Sequence, residues 1–271
     1  MSSCAFCEWL RKHGYLKPSA LSPPACFVRT DYDLLTNRVS AYLGVAVENA
    51  RALGFTVYDL YGGEAVQNVF LNVLHRFSPV VVCVGTHGLR DRLIGQDGKP
   101  LLESCVNDDV LAGKTVFALA CQSASGLGYS AVGKGCLAYF GWLEDWIIIM
   151  DESLPPLQDP YAYSFFRPVL DGINVLLNDV LRGVDVQTLA LNVYEAVVKG
   201  YNEEIDYWKR VPTPTASEMV TYLIHDRDYF VPITATGIYT PPSAVTFQLP
   251  LKQLATIGII ALPLAIKSLK A

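Results

Sequence analysis

Short, unbroken apolar runs alternate along the first half of the chain with longer stretches whose apolar positions recur at helical spacing. "ACFVRT" (25 to 30) reads as a strand. Residues 33 to 53, with Leu34, Val39, Leu43, Val47 and Ala50 on one stripe, read as a helix that Gly54 ends. "FTVYDLY" is a second strand, "GEAVQNVFLNVLHRF" a second helix and "PVVVCVG" a third strand. Strand, helix, strand, helix, strand at this spacing implies right-handed crossovers and a parallel sheet. Between residues 88 and 114 the pattern changes: "LIGQDGKPLLE" sets an Asp-Gly between apolar pairs and predicts a small hairpin-like excursion. "KTVFALAC" (114 to 121) resumes the sheet, a helix is expected across "SASGLGYSAVGKG", and "CLAYFGW" (136 to 142) is another strand. The third and fourth runs are continuously apolar, which places them in the sheet centre with both faces buried. From about residue 160 the pattern is helical, in "PYAYSFFRPVLDGINVLLNDVLRG" and "DVQTLALNVYEAVVKGYNEEIDYWKR".

The expected fold class is therefore α/β: three layers with a central, mainly parallel sheet flanked by helices, plus C-terminal helices. At 271 residues and 51% hydrophobic content, the chain can bury one large core. Its expected organisation is an N-terminal extension (1–24), one domain including the C-terminal helices (25–235) and an apolar tail (236–271). Within the tail, "LATIGIIALPLAI" (254 to 266) is too short to span a bilayer of roughly 30 Å at about 1.5 Å per residue. Packing against the domain is its expected role, with a membrane or partner anchor as the alternative.

Charge narrows the partners. A net charge of -5 without a Lys/Arg cluster argues against direct nucleic-acid binding. The first thirty residues hold Arg11, Lys12, His13 and Lys17 but no apolar core of signal-peptide length, so a cytoplasmic protein is expected. Seven scattered cysteines fit reduced thiols better than a disulfide framework. Cys4 and Cys7 form a single CxxC, with His13 and Cys26 downstream; one tight pair falls short of the four ligands zinc needs, and no metal or cofactor is expected.

The chemistry lies where the sheet predicts it. In an open parallel sheet, reactive groups collect at the carboxyl ends of the strands. His87 follows the third strand in "VVVCVGTHG", and Cys121 closes the fourth in "TVFALAC". Each alone reads most simply as a loop histidine or a small buried hydrophobe. As a pair on strands about 4.8 Å apart, they form a nucleophile and a base. Gly88 would let a substrate approach the backbone, so the Gly88 and Cys121 N–H groups could face a developing oxyanion. "ACQSASG" is expected to turn from strand into helix immediately after the cysteine, which would place the thiol near a helix N-terminus and lower its pKa. Cys83, Cys105 and Cys136 are expected as core or loop thiols, and His13, His75 and His225 carry no assignment.

An apolar strand ending in His-Gly, followed some thirty residues later by one ending in Ala-Cys and then Gln-Ser-Ala, resembles the caspase-like cysteine peptidases, and within them the prokaryotic CHAT branch. The likeness covers roughly residues 25 to 235, with "YAYSFFRPVLDGINV" and "QTLALNVYEAVVKGYNEE" similar to the helices after that family's last core strand. Gly85 and Thr86 stand where the family often has a Gly-His-Gly pattern. The resemblance implies a protein-cleaving endopeptidase with His87 as general base or acid, Cys121 as nucleophile, and a regulatory protein partner, in a setting of defence or cell death. It places the specificity pocket after strand one and after the strand following the cysteine: Asp31 and Asp33 on one side, Trp142, Glu144 and Asp145 on the other. Carboxylates there would favour Lys or Arg in the substrate. Two other classes stay open: a catalytically silent interaction module on the same fold, and a nucleotide-binding domain, which lacks a GxxxxGK[ST] or a strand-borne GxGxxG.

Overall fold

The computed structural model describes residues 22–238 and 264–268, the last stretch and Ile238 as backbone only. The Cys4/Cys7 pair, His13, the Pro-rich linker and most of the apolar tail lie outside the described residues.

The strands are β1 (Pro24–Arg29), β2 (Thr56–Tyr61), β3 (Val81–Gly85), β7 (Thr115–Leu119) and β8 (Ala138–Trp142), joined by β10 (Phe230–Thr234) and β11 (Gly237–Ile238) in one seven-stranded sheet. Its order is β11-β10-β8-β7-β3-β1-β2. The run from β2 to β8 is parallel, and β10 and β11 close the edge antiparallel. The two continuously apolar strands, β3 and β7, are central and wholly buried. The excursion after β3 forms a separate small sheet of β4 (Gly88–Leu89), β5 (Arg92–Ile94) and β6 (Pro100–Glu103).

Six α-helices are described: α1 (Leu34–Ala52), α2 (Gln67–Phe77), α3 (Leu127–Gly133), α4 (Pro160–Arg182), α5 (Val186–Trp208) and α6 (Pro214–Tyr229). They make the outer two layers. One face of the sheet packs on α1, α4, α5 and α6 through large rings such as Phe117, Phe140, Trp142, Trp146 and Phe166. The other packs on α2 and α3 through Val82, Val84, Val116, Ala118 and Ala120. The three-layer α/β architecture read from the periodicity is the observed one.

Each helix start has a chemical reason. Asp33 caps α1: its carboxylate accepts the Thr36 N–H at 2.8 Å while the Thr36 hydroxyl accepts the Asp33 N–H at 3.0 Å. Asp159 caps α4, with Pro160 at the first helical position, and also pairs with Arg38 of α1 at 3.4 Å. Both partners of that pair are essentially unexposed, so removing either would leave the other buried without its ion-pair partner. α4 and α5 meet closely because position 200 is glycine: a Cβ would lie 2.8 Å from the Pro168 Cα.

Two strands run outside the periodicity reading. β9 (Ile147–Asp151) follows β8 but leaves the main sheet, and β12 (Leu264–Ser268) pairs with it antiparallel. The described part of the apolar tail is thus a strand laid on the domain. Among the described residues no helix is long and apolar enough to cross a membrane.

Candidate functional site

The chain leaves β1 on one side and β3 on the other, so the order β2-β1-β3-β7 reverses direction between β1 and β3. In open α/β sheets such a switch point opens a crevice at the carboxyl edge. Here that edge gathers Tyr32 and Asp33 after β1, His87 and Gly88 after β3, and Cys121 after β7.

The β3–β7 register pairs Gly85 with Leu119. Thr86 N–H donates to the Leu119 carbonyl at 3.3 Å, and a Cβ on Gly88 would lie 3.2 Å from the Cys121 nitrogen, so the chain segments that leave the two strands stay side by side. Alternation along the strands sends Gly85 and Leu119 to the same face. Phe117, Leu119 and Cys121 share the cluster on the α1 side, and Gly85 faces Val39 and Leu43 of α1.

His87 is 9% exposed and is held by its neighbours. Its Nε2 lies 2.6 Å from Asp33 Oδ2, and Tyr32 leans on the ring with centroids 5.5 Å apart. Burial works against the charged form of Asp33, but the Thr36 N–H, the imidazole and the Thr36 hydroxyl together hold its carboxyl below the usual range. An ionised carboxylate only accepts, so the proton of this contact sits on Nε2. Nδ1 is buried and has no hydrogen-bond partner among the described residues. The imidazole is therefore fixed in one tautomer with its basic nitrogen uncommitted.

Cys121 is fully buried. Its thiol lies 3.7 Å from the Trp146 carbonyl, and the segment leading there runs along the turn after the cysteine. Gln122 N–H donates to the Glu144 carbonyl at 3.0 Å, Gln122 Nε2 to Asp145 Oδ1 at 2.9 Å, and Ala124 N–H to the Trp142 carbonyl at 3.0 Å. Gln122 itself has φ +52, a left-handed conformation that costs a non-glycine residue on the order of 1 kcal/mol. Those three bonds hold it there.

Several expectations change. Cys121 is not at a helix N-terminus: α3 starts only at Leu127, because residues 121 to 126 form successive turns. Gly88 is buried, and a Cβ on it would lie 2.5 Å from the Cys121 carbonyl oxygen and 2.8 Å from Ala120 Cβ. Contact between two strand ends, not room for a substrate, requires this glycine. Trp142 is no pocket wall: it is unexposed, among Phe117, Trp146 and Phe230, with Nε1 donating to the Asp226 carbonyl.

The four pocket carboxylates divide. Asp31 accepts from Tyr61 Oη at 2.6 Å and from Asn37 at 2.9 Å, Asp33 holds His87, and Asp145 holds Gln122. Glu144 is exposed. Cys26, considered as a zinc ligand, is buried in β1, where burial pushes its thiol far up. Among the described residues no group of three or more His, Cys, Asp or Glu side chains could hold a metal ion. Cys83 and Cys136 are core thiols, Cys105 is exposed, and His225 Nε2 lies 2.9 Å from the Asp145 carbonyl.

The pairing of Asp33 with His87 was missed by reading the sequence. Its signal was an Asp three residues before a Thr, opening a helix right after a central strand. That spacing predicts a cap, and only the crevice turns the cap's second oxygen toward the histidine. The assembled set is an imidazole held by a carboxylate after β3 and a buried thiol after the neighbouring β7.

No family model and no curated protein matches the chain.

Proposed function

We propose that the chain is a cysteine endopeptidase of the caspase-like, CHAT type, with Cys121 as nucleophile, His87 as general base and acid, and Asp33 as the residue that positions His87. One observation carries this reading: His87 and Cys121 follow neighbouring parallel strands at one edge of the sheet, with His87 Nε2 held by a carboxylate and Nδ1 without a hydrogen-bond partner among the described residues. The thiol proton passes to Nδ1 and the thiolate adds to the scissile carbonyl. The imidazolium then returns the proton to the leaving amine, giving an acyl-enzyme that water hydrolyses. The Gly88 and Cys121 N–H groups are the proposed oxyanion donors.

The covered thiol adds a requirement. With Cys121 unexposed beneath residues 142–146, turnover needs that segment to move, which fits activation by a protein partner or ligand. The same burial favours a second reading, a catalytically silent module whose dyad never opens. Purified protein, alone and with candidate partners, is to be challenged with a peptide library and a thiol alkylator. Cleavage that appears together with Cys121 labelling, and vanishes in Cys121→Ala, supports the peptidase. Neither labelling of Cys121 nor cleavage of any peptide, with every partner tried, supports the silent module.

A further inference from the structure

β9 is a strand with two differently used edges. On one edge, Ile147 N–H donates to Asp226 Oδ1 at 3.0 Å and Asp151 N–H to Asp159 Oδ2 at 2.8 Å, while the Asp151 carbonyl accepts from Arg38. Asp226, Asp159 and Arg38 are all buried, and they sit on α6, at the start of α4 and on α1. Main-chain groups alternate sides along a strand, so Ile148 and Met150 turn theirs to the opposite edge. There they meet β12, with Ile148 level with Lys267 and Met150 level with Ala265. β9 has no other strand neighbour among the described residues.

We propose that this second edge of β9 is a strand-docking site, and that residues 264–268 of the same chain are its exchangeable resting occupant. The site accepts an extended segment running antiparallel, recognised through its main chain at the positions facing Ile148 and Met150. β9 is a prepared template: its far edge is fixed by side chains from three helices, and Ile148, Ile149 and Met150 are wholly buried, so docking need not order it. The occupant is far less committed. A five-residue, two-stranded ribbon is marginal by itself, and it is the only strand pairing described for residues 264–268. β9 begins one residue beyond Trp146, whose carbonyl lies 3.7 Å from the Cys121 thiol. The docking site stands whether or not Cys121 turns over a substrate.

The test uses the full chain, the full chain with Ala265→Pro and Lys267→Pro, and a synthetic peptide of residues 262–270. Each proline removes a main-chain donor facing β9. In the full chain the Ile148 and Met150 amides should exchange slowly and the peptide should not bind. In the double variant the two amides should exchange at least about tenfold faster, and the peptide should bind and restore their protection. A peptide N-methylated at positions 265 and 267 should not. Unchanged amide exchange in the variant, or no binding of the unmodified peptide to it, overturns the proposal.

Should the variant lose protection throughout its core, the unaltered chain decides. Under mild denaturant, exchange of Ile148 and Met150 at a lower opening free energy than the Cys26 and Cys83 amides supports an exchangeable occupant, and exchange only with them overturns it. A crosslink between residues 264–268 of one copy and β9 of another, in a dimer of the full chain, also overturns docking within one chain. Cleavage assays are run in parallel: docking without cleavage at exposed Cys121 counts against the peptidase and leaves the docking site standing.

Discussion

β3 and β7 are neighbours of equal length and similar apolar sequence, yet their ends differ in kind. The His87 end is polar: a carboxylate, a tyrosine ring and a helix cap surround the imidazole. The Cys121 end is buried among apolar side chains: the thiol belongs to the same cluster as Phe117 and Trp142 and lies 3.7 Å from the Trp146 carbonyl. The difference comes from what each strand end faces. β3 borders β1, whose exit loop must cap α1 and brings Asp33 with it, whereas β7 borders β8, whose exit loop folds back over the thiol. One strand end thus presents an imidazole held by a carboxylate, and its neighbour a thiol covered by the loop after β8.

The sharpest way to break this contrast is to delete each end. Cys121→Ala should lower peptide turnover by a factor of roughly 10⁴ or more, with a stability loss of no more than about 2 kcal/mol, because only one small buried atom is removed. His87→Ala should lower turnover by roughly 10² to 10⁴ while cooperative urea unfolding is retained. Collapse of the fold in His87→Ala would make the histidine a structural residue instead.

Gly88→Ala tests the point where the two ends touch. The new Cβ would meet a main-chain oxygen at 2.5 Å, so a loss of about 2 to 4 kcal/mol is expected in the urea midpoint. A neutral substitution would show that the strand ends lie further apart.

Asp33 can be divided into its two tasks. Asparagine caps helices as well as aspartate, so Asp33→Asn should change stability by under about 0.5 kcal/mol yet cut turnover roughly tenfold to a hundredfold. The ¹⁵N shifts of the His87 ring should report a mixed tautomer in that variant. An unaltered tautomer would assign Asp33 to capping alone.

The smallest effect concerns Asp226, which anchors β9 beside the cover. Burial drives its carboxyl well above the ordinary value of 3.8, so the folded chain keeps a proton that the unfolded chain releases. Stability should therefore fall as pH rises above about 3.8, by up to about 1.4 kcal/mol per pH unit from this group, until the folded-state carboxyl also ionises. Asp226→Asn should flatten that slope in urea titrations between pH 5 and 8, and an unchanged slope would place the buried proton elsewhere.

Periodicity along the chain was enough for the sheet and its centre. β3 and β7 read as continuous apolar runs because both their faces are covered, and α1 announced itself by its stripe and by Gly54. Several segments escaped, among them β9, α6, β10 and β12, which come after the alternation of apolar runs and helical stripes that marks the first half of the chain. α3 is shorter than expected because Gln122 turns left-handed and delays the helix by several residues.

The candidate site was legible to the same degree and for the same reason. Strand ends can be located from local pattern, so His87 and Cys121 could be named. What surrounds them could not, since it comes from residues distant in the chain: Asp33 lies 54 residues from His87, and Trp146 lies 25 from Cys121. By itself the sequence determined which residues stand at the carboxyl edge, because alternation and helix period are properties of neighbouring residues. Only the tertiary structure decided that one is an imidazole held by Asp33, the other a covered thiol, and that Trp142 and Gly88 are packed against their neighbours. Burial and partnership depend on which loops the sheet order brings together.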